Sequence, residues 1–145
     1  MSVRMNAIFV AALACAATLN FPTAQAAVKV HKVVIQISND NAKQHELALS
    51  NTVNLQTHYG IDNVIIEVVA FGPGISILTK KSALSQRIES LSMQEVTFYA
   101  CTITLNALEA KAGKKVELSK GVKSTPSGVA RIVELQEQGF SYLRP

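Results

Sequence analysis

Three β-branched, apolar runs, each followed by residues at helical spacing, leave this chain few ways to fold. The first, Val28 to Ile37, begins in partial alternation and becomes nearly continuous apolar, the pattern of a central strand covered on both faces. The second, Asn63 to Phe71, is the clearest strand and is broken sharply by Gly72-Pro73-Gly74. The third, Val96 to Ala100, is short and rich in β-branched and aromatic residues. Between the first two, Ser38-Asn39-Asp40-Asn41 supplies turn and N-cap chemistry. A helix is predicted over Ala42 to Tyr59, burying Ala48, Thr52, Leu55 and Tyr59, with Gly60 as its C-cap.

The later segments continue the alternation. Ile75 to Gln94 is helical in pattern, with Ile77, Leu84, Ile88 and Leu91 on one face, a break near Lys80 and Lys81, and a restart at Ser82. After the third strand, Leu105, Leu108 and Ala112 recur at helical spacing and Gly113 closes the helix. Lys115 to Leu118 is the weakest strand candidate. Pro126 suits the first turn of a helix to Gln138, with Val129, Ile132 and Val133 inward and Gly139 as cap, and Phe140 to Leu143 reads as the final strand. Strand and helix thus alternate throughout. The fold class is α/β: a single three-layer domain with a parallel or mostly parallel sheet and helices on both faces.

The first residues read differently. Arg4 precedes an apolar run from Ala7 to Leu19, and Ala24-Gln25-Ala26 is a small-x-small site. That is the pattern of a secretory signal peptide cleaved after Ala26, which implies a periplasmic or secreted protein with a domain over 27–145. The run falls short of the about 20 residues of a spanning helix, so no membrane span is expected. A lipoprotein anchored at Cys15 is the alternative, but the later Ala-x-Ala site fits better. After cleavage Cys101 is the single cysteine, so no internal disulfide can form. A domain of this size buries about two-thirds of its chain surface and can stand without one.

Charge and motifs exclude several classes. The net charge of +4 is concentrated in Lys111, Lys114, Lys115, Lys120 and Lys123, a cluster that suits either an acidic partner or a solvated loop. Nucleic acid is not an expected partner, because the chain has no Trp and no aromatics interleave with the basic run. Gly72-Pro73-Gly74 lacks the third glycine of a dinucleotide fingerprint, and no Walker loop is present. His31, His45 and His58 are not at metal-ligand spacing, so neither metal nor cofactor is expected. No triad surrounds Cys101, although His45 lies at the same expected sheet edge and could approach it.

In parallel α/β sheets ligands sit beyond the carboxyl ends of the strands. Ser38 to Asn41, Phe71 to Gly74 and Cys101 with Thr102 converge there, and the loop Thr125 to Ser127 is a fourth candidate. Cys101 occupies a strand-to-helix joint, where unpaired N–H groups and the helix dipole favour thiolate over thiol. It is the candidate reactive residue, and Asn39, Asp40, Gly72, Gly74 and Thr102 are the candidate pocket. Without a base or oxyanion arrangement, the chemistry left is what a thiolate does unaided: accept a sulfur atom, hold it as a persulfide and pass it on.

Phe71-Gly72-Pro73-Gly74, Phe98-Tyr99-Ala100-Cys101 with its Thr-rich helix start, and the ending from Gly128 to Pro145 resemble the DsrE/DsrF-like family, in its small exported branch. The resemblance implies a flavodoxin-like fold of about five strands and assembly into homotrimers or homohexamers. It also implies sulfur relay through a cysteine at the position of Cys101, with a sulfur donor or acceptor protein as partner. Two alternatives stand beside the carrier: a non-catalytic module binding a small anion or metabolite, and a structural oligomer with an inert thiol. The carrier reading requires an accessible Cys101 of lowered pKa.

Overall fold

The computed structural model describes residues 29–145; the expected leader, its cleavage site and Cys15 lie outside the described residues. The strands are β1 (His31–Ile37), β2 (Val64–Ala70), β3 (Val96–Cys101), β4 (Val122–Thr125) and β5 (Ser141–Leu143). The helices are α1 (Ala42–Tyr59), α2 (Ser85–Ser92), α3 (Thr102–Ala112) and α4 (Gly128–Glu137). The sheet order is β4-β3-β2-β1-β5, and every pairing is parallel.

That order fixes the layers. Three crossovers step in one direction, so α1, α2 and α3 share a face, where Leu49, Ile88 and Leu105 meet Ile35, Val68 and Phe98. The fourth runs back across the whole sheet to seat β5 beside β1. Its helix α4 covers the second face alone, through Ile132 and Leu135 against Val34 and Val69, with Phe140 closing the end.

Helix α1 keeps its expected bounds. The Asn41 side chain accepts from the amides of Lys43 and Gln44, and Gly60 caps the other end. Elsewhere the chain departs from its pattern in four places. The expected helix from Ile75 is instead a 3₁₀ stretch, Gly72–Leu78, followed by turns and only then α2. Thr79 is extended and bridges Leu118, which breaks the helix where Lys80 and Lys81 suggested a break. Lys115 to Leu118 is not a strand; that single antiparallel bridge is all it contributes, and the fourth strand lies at Val122–Thr125.

The other two departures concern helix faces. In α3 only Leu105 is buried, while Leu108 and Ala112 are exposed. In α4 the buried line is Gly128, Ile132 and Leu135, and Val129 and Val133 are 57% and 50% exposed. Both valines had been expected inward. A 3.6-residue period cannot point Val129, Ile132, Val133 and Leu135 at one narrow sheet, and Leu135 with Ile132 fits the Val34–Val69 surface. Pro126 also lies outside the helix, because Ser127 is the N-cap, accepting from the Ala130 amide at 3.3 Å.

One ion pair is built into the second face. Arg131 on α4 grips Glu67 on β2 through three contacts of 2.8 to 3.1 Å, and its guanidinium lies 5.0 Å from the Tyr99 ring centre.

Candidate functional site

The carboxyl ends of β1, β2 and β3 come together as expected. The Phe71 amide donates to the Ile37 carbonyl at 3.1 Å, which brings the turn after β2 against the end of β1. Gly74 is buried against that end: a Cβ there would fall on the Ile37 carbonyl and 2.9 Å from the Ser38 nitrogen. Its small size therefore serves backbone packing.

Cys101 ends β3 and is the N-cap residue of α3. Thr125 on β4 pairs with it in register, so the short Pro126–Ser127 link delivers the first residue of α4 beside the sulfur. A Cβ at Gly128 would lie 3.2 Å from the Cys101 Cβ and 3.1 Å from Phe71; glycine lets the α4 backbone approach this closely without pushing either side chain aside. Two helix N-termini thus meet at one side chain. Burial pushes the Cys101 thiol up, but the Gly128, Thr104 and Ile103 amides and the Thr104 hydroxyl act the other way and hold it below the ordinary thiol range. No capping hydrogen bond from the first turn of α3 closes on the side chain, so the amides act on the sulfur chiefly as oriented dipoles.

Thr104 links the sulfur to the β2 turn. Its Oγ1 accepts from the Gly72 amide at 3.0 Å, which leaves the hydroxyl hydrogen free, and the hydroxyl helps to lower the Cys101 pKa. Gly72 and Cys101, two of the expected site residues, are therefore joined through a residue that sequence reasoning passed over. Gly128 was also passed over. The Thr-rich helix start and the loop after Thr125 were the available signals; which threonine faced the sulfur depended on the helix phase.

The Asn39 Oδ1 accepts from the Asn41 amide at 3.0 Å, and Asp40 is exposed. Thr102 is half-buried in the first turn of α3. His45 does not act on the thiol: its Nε2 lies 2.7 Å from the Asn39 carbonyl oxygen. The expected accessibility of Cys101 is also not met, since only 5% of the residue is exposed. The thiol is electrostatically primed and nearly covered.

Residues 31–145 match the DsrE/DsrF-like family. The chain belongs to that family. Among solved structures, this DsrE-like chain is similar to a protein of unknown function, MTH1491 from Methanobacterium thermoautotrophicum, with 36% identity and a TM-score of 0.72 over 79% of this chain and 99% of that one. No curated protein matches it. The family is associated with sulfur relay, the chemistry that an unaided thiolate can perform. Among the described residues no group of three or more His, Cys, Asp or Glu gathers to hold a metal, and no helix is long and apolar enough to cross a membrane.

Proposed function

We propose that this DsrE-like protein is an exported sulfur carrier that holds sulfur on Cys101 as a persulfide. The reading rests on one observation above all: the first turns of α3 and α4 converge on Cys101, and their amides favour its thiolate despite burial. The thiolate attacks the outer sulfur of a donor persulfide; a new S–S bond forms, the donor S–S bond breaks, and the donor leaves as a thiolate. The sulfane sulfur moves with its proton and no net oxidation occurs. Export is supported by the leader pattern, which ends before the family match begins at residue 31. A location in the periplasm or outside the cell follows from that pattern.

Intact-mass analysis after polysulfide treatment tests the carrier. One added sulfur is expected on the chain from residue 27 onward, where Cys101 is the single cysteine, and none on its Cys101→Ser variant. If iodoacetamide and polysulfide both leave folded Cys101 untouched, the carrier reading fails. Its 5% exposure would then identify an inert packed thiol, or a nest of amides that holds an anion without sulfur transfer.

We also propose that the protein is a homo-oligomer. Support comes from Val129 and Val133, four residues apart on the outer side of α4 and half or more exposed. Sedimentation at micromolar concentration is expected to show trimers or hexamers, and Val129→Glu with Val133→Glu to show monomers of unchanged helix content. A monomeric parent chain would overturn this.

A further inference from the structure

A cavity lies at the opposite end of α3 from Cys101, about 16 Å along an eleven-residue helix. It has a volume of about 670 Å³ and lies between the turn at Thr79 to Lys81 and the loop at Lys114 to Glu117, a size that suits one small molecule. Its walls are fixed to each other. The Lys80 amide donates to the Glu117 carbonyl at 2.9 Å, the Ser119 amide to the Leu78 carbonyl at 2.8 Å, and the Ser119 hydroxyl to the Thr79 carbonyl at 3.1 Å. The Val116 amide donates to the Glu109 carboxylate at 2.9 Å, which ties the loop down onto α3. The cleft is therefore preformed.

Its lining has two characters. Ala112 and Val116 provide an apolar floor, extended by lysine methylene stems. Lys80, Lys81, Lys114 and Lys115 stand around it. Lys80 pairs with Glu117 at 3.2 Å, while Lys81, Lys114 and Lys115 have no acidic partner among the described residues. Three uncompensated ammonium groups over an apolar floor suit a small amphiphilic anion: a short hydrocarbon or aromatic body with a phosphate or carboxylate head. The carbonyl end of the α3 dipole opposes an anion, but it carries only about half a charge. An extended acidic peptide fits less well, because the Lys80 amide and the Glu117 and Leu78 carbonyls at the wall edges are already paired across the cleft.

We propose that this lysine-rimmed cleft binds small amphiphilic anions, independently of the thiol. The test titrates the full chain with octyl phosphate and octanoate, and with octanol and inorganic phosphate as half-probes. Calorimetry gives affinity, and amide shifts at Ala112 and Val116 give the location. One-to-one binding of at least one amphiphilic anion is expected, on the order of tenfold tighter than either half-probe, and weakened about tenfold by Lys81→Glu with Lys115→Glu. Lys81→Gln with Lys115→Gln serves if the charge reversal perturbs the fold, and Cys101→Ser should bind as the parent does. Equal binding of octanol, equal binding of phosphate, unchanged affinity in the lysine variants, or tighter binding of a polyglutamate peptide would each overturn the proposal.

Discussion

Replacing Thr104 with valine is expected to slow iodoacetamide labelling of Cys101 about tenfold at neutral pH, because the hydroxyl that helps to favour the thiolate is removed. The shape is nearly kept, but the Gly72 amide loses its partner. That orphaned amide should also lower stability by about 1 kcal/mol, read in urea. Thiolate formation is linked to stability in a defined direction. The folded-state pKa lies below the unfolded one, so the contribution is complete above the unfolded value and is lost as pH falls through the folded value. The stability advantage of the parent over Cys101→Ser should therefore widen with rising pH, and Thr104→Val should shrink that widening. A rate profile against pH identical in parent and Thr104→Val would remove the hydroxyl from the account.

Removing the carboxylate with Glu67→Ala is expected to cost about 2–3 kcal/mol, somewhat less than the loss of one partner from a fully buried pair. Arg131 and Glu67 side chains are only 23% and 12% exposed, so the stranded guanidinium is largely desolvated between α4 and Tyr99. Burial alone disfavours its charge, but the hydrogen bonds and charge of Glu67 more than offset that. The contrasting exposed pairs, Lys80 with Glu117 and Arg87 with Glu46, should each contribute under about 1 kcal/mol. Urea unfolding of Glu67→Ala, Arg131→Ala and the double variant would measure the coupling. A loss under about 0.5 kcal/mol for Glu67→Ala would show that the pair does not hold α4 to the sheet.

Four of the five strands and their alternation with helices were legible because long apolar runs and short links carry them locally: α1 with Asn41 and Gly60, β2 and β3 all appear where their residues suggested. Local pattern failed where a distant segment decides. Thr79 is drawn out of a helix by Leu118, and Val129 is displaced from the core by Leu135 fitting Val34 and Val69. The site divides the same way. Cys101 and Gly72 stood out as residue types at joints, but Gly128 becomes part of the sulfur environment only because β4 pairs with β3 and returns the chain there. Burial of the sulfur likewise depends on that return.

Strand β5, Ser141–Leu143, is made after α4 and pairs with β1, His31–Ile37. Before α4 is made Val34 and Val69 lack the helix that shields them, and before β5 is made the β1 flank of the sheet is an open template. Native closure is consequently a late, cooperative event with long loops to close. A nascent chain of this design stays unlocked until α4 and β5 have both been made, and until then its open flank is vulnerable to pairing with a neighbouring nascent chain.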